Sequence, residues 1–313
     1  MMDRETVIKV MEITKEFDSV ETIAGISFEI YRGEIFALLG PDGAGKTTIV
    51  EILEGLRKPT SGHAWILGYD VKNKLALREI KKVIGTLPQE FITFENLTVK
   101  ENIKYWGKMY DQMVDPRELI SLVKLEEKQD ELYKNLSSGM KRLVGLAIAL
   151  VNDPEILILD EPTSGLDLRS RKETWRILED LRDQGKTVFF TTNHVLEPQA
   201  IANRVSIIYE GRIKDIGSPN DLIERYTQGN KVIVRCADSD NKQDAKKVLA
   251  NLSPKINQEG DLVISGSDLP LLRILETLEK EKIMYTDIIT KKPDLNDVFL
   301  ILTGESLTEE VQE

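Results

Sequence analysis

The sequence has one cysteine, Cys236, and only two histidines among its 313 residues. A single cysteine excludes an intrachain disulfide framework and indicates a reducing compartment. The N-terminal segment 1–9 is charged and lacks the apolar core of a secretory signal. The longest apolar run, near residues 144–151, falls far short of the roughly 20 residues that cross a bilayer. We therefore expect this chain to meet any membrane only through a partner.

An excess of basic residues is also missing. The formal net charge is -11, which disfavours broad binding to nucleic acid, because such binding depends on neutralising phosphates. We expect no nucleic-acid partner. Charged residues make up 30% of the chain and hydrophobic residues 41%, an ordinary globular composition, and the length allows two domains.

A glycine-rich loop stands between an apolar run and a helical pattern. The run at 35–39 predicts a buried strand, and residues 49–53 have the periodicity of a helix. The loop comprises Gly40, Pro41, Asp42, Gly43, Ala44, Gly45, Lys46, Thr47 and Thr48. Glycines let the backbone approach a phosphate chain, and a helix start attracts anions. This is the context of a P-loop, in which Lys46 reaches the β- and γ-phosphates and Thr47 binds Mg²⁺. The alternative is a glycine-rich turn that fits the pattern by chance.

Two acidic residues follow a second apolar run, at 156–159. Four apolar residues in succession predict a strand buried on both faces, and open α/β sheets bind ligands at the carboxyl ends of such strands. Asp160 is placed there to hold Mg²⁺ and Glu161 to polarise an attacking water. Gln89 follows another predicted strand, at 83–88, and is a candidate to bind the metal or position water. The alternatives are a helix cap for the two acids and a solvated loop residue for Gln89.

The order of the patterns predicts an α/β fold with two parts. Strands and helices alternate through residues 1–228, which indicates a P-loop NTPase core with a mostly parallel sheet and an antiparallel β subdomain. Residues from about 97 to 153 have helical patterns and no strand, so we expect an inserted helical subdomain. Residues 229–313 predict a small C-terminal α+β accessory domain without a catalytic cluster of its own.

In this order and spacing, the motifs resemble those of the nucleotide-binding subunit of an ATP-binding cassette (ABC) transporter. The loop 40–48 matches Walker A, Gln89 the Q-loop, 156–162 Walker B and 164–167 the D-loop. Residues 136–140, LSSGM, stand where that family has its LSGGQ signature. The segment 292–304 resembles the closing segment of drug-resistance and ABC-2 type exporter ATPases, so the resemblance covers nearly the whole chain.

The resemblance implies a set of roles for individual residues. Phe17 stacks on adenine, although an aromatic residue in a β-rich segment is usually part of the core. Ser137 and the Gly139 amide contact a γ-phosphate, Asp160, Gln89 and Thr47 hold Mg²⁺, and Glu161 and Gln89 serve catalysis. Two such subunits sandwich two ATP molecules, and hydrolysis drives export through a multi-spanning permease at the cytoplasmic face of the membrane. The second subunit is either another copy of this chain or a paralogous ATPase.

Two departures from the family pattern leave other functions open. The signature has Ser138 and Met140 where glycine and glutamine are usual, and Asn193 occupies the position of the switch histidine, with His194 next to it. Asparagine donates hydrogen bonds but carries no proton charge. We therefore predict slow or partner-dependent hydrolysis, with Asn193 or His194 as the switch residue. The alternative functions are a soluble cassette ATPase acting on nucleic acid or ribosomes, and a weakly hydrolysing nucleotide-dependent regulatory switch.

Overall fold

A computed structural model of the chain describes residues 4–227, 229–257, 260–266 and 269–307. They form two compact units, of which the first runs to Pro219 and the second is Asn220–Ser306. The sequence-based boundary after residue 228 assigns helix Pro219–Tyr226 to the first domain, whereas the structure places nearly all of it in the second unit. Gln228 and residues 308–313, which were expected to belong to the two domains, lie outside the described residues.

A six-stranded sheet forms the centre of the first unit. Its strands are β3 (Ile35–Leu39), β6 (Ile84–Leu87), β7 (Ile156–Asp160), β8 (Thr187–Thr192), β9 (Arg204–Tyr209) and β10 (Arg212–Gly217). Their order is β10-β9-β3-β8-β7-β6, and all neighbours are parallel except the β9–β10 hairpin. Every residue of β3, β7 and β8 is buried, as expected for a parallel sheet covered on both faces.

The register of this sheet brings four chain segments to one edge. Leu39 of β3 lies opposite Thr192 of β8, and Leu87 of β6 lies opposite Leu159 of β7. Asp160 pairs with Thr191. The strands are parallel, so the segments that follow them leave the sheet side by side, at the edge where α/β sheets bind their ligands.

A separate antiparallel sheet has the strand order β2-β1-β4-β5. It contains β1 (Thr6–Phe17), β2 (Val20–Tyr31), β4 (Ser61–Ile66) and β5 (Tyr69–Asp70). Strands β1 and β2 are long and meet in a two-residue hairpin turn. Both turn residues, Asp18 and Ser19, have positive φ, as the commonest hairpin turns require.

Eight helices of the described chain precede residue 227. They are α1 (Lys46–Leu53), α2 (Ala76–Val83), α3 (Val99–Gly107), α4 (Pro116–Leu122), α5 (Ser138–Ala149), α6 (Leu168–Asp183), α7 (Leu196–Ile201) and α8 (Pro219–Tyr226). Ile49 and Ile52 of α1 join one buried cluster with Phe36 and Phe189 of the parallel sheet and Ile8 of the antiparallel one. This cluster fixes α1, and therefore the loop before it, between the two sheets.

The segment expected to be a helical insert contains α3, α4 and α5. Between residues 97 and 153, all of which are described, the structure has no named strand and only an isolated bridge, Thr98 with Leu132. Thr98 and Glu101 form a capping box at the start of α3, with hydrogen bonds of 3.2 and 2.9 Å. None of the helices in the described chain is long and apolar enough to cross a bilayer.

The second unit has an antiparallel sheet of its own, in the order β12-β13-β11-β14. Its strands are β11 (Asn230–Cys236), β12 (Lys255–Ile256), β13 (Leu262–Gly266) and β14 (Tyr285–Lys291), and its further helices are α9 (Ser239–Val248), α10 (Leu271–Lys280) and α11 (Leu295–Thr303). Val232, Ile264 and Leu278 belong to its core, against which the half-buried Cys236 packs. Asp294 is the N-cap of α11, and Gly304, with positive φ, follows its last residue.

Glu54, directly after α1, is a buried carboxyl group without a complete set of partners. Its side chain is 7% exposed, and its Oε1 accepts no hydrogen bond from the described residues. Burial, reinforced by the charges of Asp160 and Glu51, raises the pKa of Glu54 to about 7. The fold therefore favours the neutral acid, whereas the unfolded chain ionises near pH 4.5.

This carboxyl group makes the stability of the chain dependent on pH. The neutral form of Glu54 contributes fully to the stability of the fold below about pH 4.5, and this contribution is lost as the pH rises through about 7. We expect Glu54→Gln to stabilise the chain more at pH 8 than at pH 5. The effects of the substitution on the free energy of unfolding at the two pH values should differ by on the order of 2 kcal/mol. Urea denaturation at both pH values measures this. The exposed Glu118→Gln is the control, and equal pH dependence of the two variants contradicts the assignment.

Candidate functional site

The phosphate loop, residues 40–48, runs from the end of β3 into the first turn of α1. Gly43 and Gly45 have φ of 78° and 98°, in the left-handed region that favours glycine. A Cβ atom on Gly45 would lie 2.3 Å from Ile23 Cδ1. Helix α1 is fully described and begins without a side-chain cap or an acidic residue in its first turn. Its first N–H groups and its positive end are therefore free of protein anions.

The other predicted residues of the loop complete this cradle. A Cβ on Gly40 would lie 2.3 Å from Ile208 O, so the backbone passes closer to β9 than a side chain allows. Ala44 is buried, and its N–H donates to Pro41 O at 3.2 Å. Thr47 is exposed and Thr48 half-buried. The exposed hydroxyl of Thr47 stands at the helix start, where a metal bound to phosphate is expected.

Lys46 curls back over the phosphate loop. Its side chain is 5% exposed, and its ammonium group donates to Gly40 O at 2.8 Å and Pro41 O at 3.0 Å. The same nitrogen lies 3.4 Å from Glu161 Oε1 and 3.6 Å from Asp42 Oδ1. A phosphate group bound in the loop offers this cation charged acceptors in place of neutral carbonyl oxygens.

The two acids at the end of β7 occupy different environments. Asp160 is 1% exposed and accepts a hydrogen bond from the Thr191 hydroxyl, which in turn accepts from the Glu161 N–H at 3.0 Å. Glu161 is 8% exposed and has a φ of 49°, an uncommon value for a residue with a side chain. Strained backbone of this kind concentrates at functional sites.

Gln89 comes from the neighbouring strand end and meets Glu161. Its Nε2 donates to Glu161 Oε2 at 3.1 Å, although 72 residues separate the two positions. Glu161 therefore lies between the ammonium group of Lys46 and the amide group of Gln89. The sequence predicted these three residues as parts of one site, and the structure brings them together.

The segment after β8 contacts the phosphate loop through Asn193. Asn193 Nδ2 donates to Asp42 Oδ1 at 3.2 Å. The backbone N–H of His194 donates to Thr192 Oγ1 at 2.9 Å, and the histidine is half-buried. Asn193 thus stands at the loop, as its position in the motif order predicted.

Ser137 is the N-cap residue of α5, and its hydroxyl accepts from the Met140 N–H at 3.3 Å. Ser137 is exposed beside a cavity of about 460 Å³ whose lining includes Ser138, Gly139 and Asp167. No hydrogen bond or ion pair between described residues joins this helix start to the phosphate loop of the same chain. Ser137 and Gly139 therefore form a separate surface rather than a wall of the Lys46 site.

Comparison with known proteins identifies this arrangement. The sequence profile of the ABC transporter family matches residues 23–164. The linearmycin resistance ATP-binding protein LnrL of Bacillus subtilis is 32% identical over 307 residues, covering 94% of this chain and 97% of LnrL. The chain belongs to the ABC transporter family. It is an ATP-binding subunit of that family, with the ATPase chemistry of the cassette.

Further comparisons agree with this assignment. The Nod factor export ATP-binding protein I of Rhizobium meliloti is 34% identical to this ABC subunit over 313 residues, with 96% of this chain and 89% of that protein covered. A solved dimeric ATP-binding cassette in a post-hydrolysis state with ADP and phosphate superposes with a TM-score of 0.62 at 25% identity. It covers 67% of this chain and 98% of its own. The predicted α/β P-loop NTPase fold is confirmed.

Phe17 lies at the end of β1, next to the hairpin turn, and is half-buried. The guanidinium group of Arg57 lies 4.8 Å from the centre of its ring, and Lys15 Nζ lies 4.9 Å from it. The ring is thus accessible and surrounded by cations rather than enclosed in the core. Stacking on adenine stays a prediction for this ABC subunit.

The sequence analysis missed Arg142, in the second turn of α5. Its guanidinium group is 8% exposed and donates to five backbone carbonyl oxygens at the ends of two catalytic strands. The contacts are Nε to Pro162 O at 3.2 Å, Nη1 to Pro88 O at 2.7 Å and Gln89 O at 2.8 Å, and Nη2 to Glu161 O at 2.8 Å and Asp160 O. Burial lowers the pKa of Arg142 to about 10, and the nearby carboxylates of Asp160 and Glu161 oppose this. The group remains charged at neutral pH.

Proposed function

We propose that this chain is the ATP-hydrolysing subunit of an ABC-2 type exporter and drives transport through a separate membrane subunit. The observation that carries the proposal is the convergence of Lys46, Gln89 and Glu161 at the carboxyl edge of the parallel sheet. The export and resistance proteins reported above match nearly the whole chain, including its C-terminal unit. These names support an exporter, while the transported substrate depends on the membrane subunit.

The residues at the sheet edge fit the steps of phosphoryl transfer to water. Lys46 and the N–H groups of the phosphate loop bind and orient the β- and γ-phosphates. Glu161 accepts a proton from the attacking water, and Gln89, 3.1 Å from it, orients that water. Asn193 donates a hydrogen bond to the γ-phosphate after leaving Asp42.

The oxygen donors near the phosphate loop suit Mg²⁺. Hard oxygen ligands are what this ion takes, usually with one or two carboxylates and the phosphates of its nucleotide. The Thr47 hydroxyl is exposed, Asp160 supplies a carboxylate, and the amide nitrogen of Gln89 faces Glu161, which leaves the amide oxygen for a metal. We propose Thr47, Asp160 and Gln89 as its ligands. When bound, the ion neutralises charge on the β- and γ-phosphates.

A second subunit completes the site in this proposal. The phosphate loop exposes one side of a bound nucleotide, and the start of α5, with Ser137 and Gly139, is a separate surface with unpaired helix-end amides. Ser137 of one subunit would therefore cover the γ-phosphate held by another copy or by a paralogous ATPase. ATP then joins the two subunits, and hydrolysis releases them.

Exposed apolar side chains supply a surface for the membrane subunit. The exposed residues within positions 92–113 include Ile92, Phe94, Tyr105, Met109 and Met113, of which Ile92 is 76% exposed and Met109 59%. Phe94 and Tyr105 pack edge to face with ring centroids 4.5 Å apart. Ile92 follows Gln89 closely in the chain, so a permease bound here would act directly on the catalytic segment. The proposal places the chain on the cytoplasmic face of the membrane.

One observation favours a second function, that of a weakly hydrolysing nucleotide-dependent switch. Asn193 occupies the switch position and holds Asp42, but an amide cannot carry the proton charge of an imidazolium. Slow turnover is expected under both proposals. The exporter proposal predicts that a membrane partner restores rapid ATP hydrolysis, whereas the switch proposal predicts that it does not.

The test is the ATPase rate of wild type and Asn193→His, each alone and reconstituted in vesicles with a candidate multi-spanning permease. We expect the permease to stimulate both proteins at least severalfold, and histidine to raise turnover by roughly tenfold. His194→Ala is the control and should retain the wild-type rate. Absence of stimulation by the permease contradicts the exporter. An unchanged Asn193→His rate together with loss in His194→Ala assigns the switch role to His194.

A further inference from the structure

Arg142 joins the helical insert to the catalytic strand ends. Two of its five bonds reach the segment after β6, at Pro88 and Gln89, and three reach the last residue of β7, Asp160, and the two residues that follow it. The parallel pairing of β6 with β7 ends at Leu87 and Leu159. Beyond that pair, the guanidinium group bridges the two segments. The backbone of both Gln89 and Glu161 is thus held by one side chain of α5.

The chemistry of arginine suits this place. A guanidinium group carries five N–H donors in a rigid plane, and all three of its nitrogens are used here. Buried carbonyl groups without partners are costly, so each bond also satisfies an acceptor at the sheet edge. Glu161, moreover, has a φ of 49°, a conformation that persists only where its surroundings impose it. The bond from Arg142 to Glu161 O is one such constraint.

We propose that Arg142 is a positioning residue that sets the placement of Gln89 and Glu161 according to the position of α5. The inference rests on the proposed function, in which the start of α5 covers the nucleotide of the second subunit. Ser137 and Arg142 lie on the same helix, less than two turns apart. When α5 moves towards the γ-phosphate bound by the partner subunit, Arg142 therefore shifts Gln89 and Glu161 of its own chain. The hydrolysis rate in one ATP site then depends on whether the other ATP site has closed.

Arg142→Lys tests this role. Lysine keeps the positive charge but has three donors on a single nitrogen and no planar fork, so it holds at most part of the five carbonyl groups. We expect kcat for ATP hydrolysis to fall by about 10- to 100-fold. We expect KM and the Kd for ATP to stay within about threefold, because Lys46 and the phosphate loop are unchanged.

The neighbouring residue supplies a matched control. Lys141 precedes Arg142 on α5, and its ammonium group lies 5.4 Å from the centre of the Tyr133 ring. Lys141→Gln should keep kcat within about twofold of wild type. Thermal unfolding of all variants, together with ATP binding, separates a positional defect from loss of folded protein. Arg142→Gln, with two donors and no charge, should lose more kcat than Arg142→Lys.

A double-mutant cycle with Gln89→Ala shows whether Arg142 acts through the catalytic segment. If Arg142 works by positioning Gln89 and Glu161, the loss in the double variant is smaller than the product of the two single losses. Losses that multiply fully overturn the inference. So does an unchanged kcat in Arg142→Lys, or a loss that follows the melting temperature alone. A wild-type chain that binds ATP without hydrolysing it contradicts the proposed function instead.

Discussion

Glu161→Gln is expected to reduce the rate of ATP hydrolysis at least about 100-fold while ATP still binds. A positioned general base contributes factors of this size or larger, and glutamine matches glutamate in shape but accepts no proton. Glu161 Oε1 lies 3.4 Å from Lys46 Nζ, and Oε2 lies 3.1 Å from Gln89 Nε2. Substitution therefore removes the base and leaves the phosphate loop intact.

The same variant should accumulate the ATP-bound dimer, because binding continues and the step that releases the subunits is blocked. Size-exclusion chromatography with ATP and Mg²⁺ measures this, and the elution volume should change only when both are present. Glu155→Gln, at the opposite end of β7 and paired with Arg32 at 2.8 Å, is the control and should behave as wild type. A Glu161→Gln protein that binds ATP and remains monomeric contradicts the proposed assembly.

Lys46→Ala is expected to weaken nucleotide binding by at least about 100-fold. Each charge-assisted hydrogen bond to a phosphate contributes about 1.5–3 kcal/mol, and every 1.4 kcal/mol is a factor of about ten in affinity. Lys46 is 5% exposed, and its ammonium group lies directly over the carbonyl groups of Gly40 and Pro41. No other described lysine is shown bonded to the loop carbonyls in this way.

Titration with a fluorescent ATP analogue gives the Kd of each variant. Lys58→Ala, in the exposed segment after α1, removes the same charge from the same region and should bind within about twofold of wild type. Circular dichroism confirms that the Lys46→Ala protein is folded. Tight binding retained by a folded Lys46→Ala protein removes the phosphate loop from its assigned role.

The buried strands of the core could be predicted from sequence because their signal is local. The predicted run at 35–39 is β3, and the predicted run at 156–159 lies within β7. A strand covered on both faces has no polar positions to interrupt the pattern, and the loop or acid that follows it is then placed at a known edge of the sheet. This is why Lys46 and Glu161 could be assigned to one site in advance.

Contacts between segments that lie far apart in the sequence could not be predicted from local patterns of this kind. The bond between Asn193 and Asp42 spans 151 positions, and whether His194 points to the loop instead depends on the backbone after β8. Arg142 is the clearest example of a residue whose place in the site local sequence patterns do not predict. A basic residue between Lys141 and Leu143 in a helix is typical of a solvent-exposed position, and only the folded chain brings five carbonyl groups to it.

The surroundings of Phe17 bear on which nucleotides this chain can use. A phenyl ring presents a π-face but no hydrogen-bond donor or acceptor, so it holds any flat base and reads none of the groups that distinguish adenine from guanine. Arg57, 4.8 Å from the ring centre, adds attraction of the same unselective kind. If Phe17 stacks on the base as predicted and the triphosphate supplies the rest of the affinity, the choice between purines follows their cellular abundance rather than recognition by the protein.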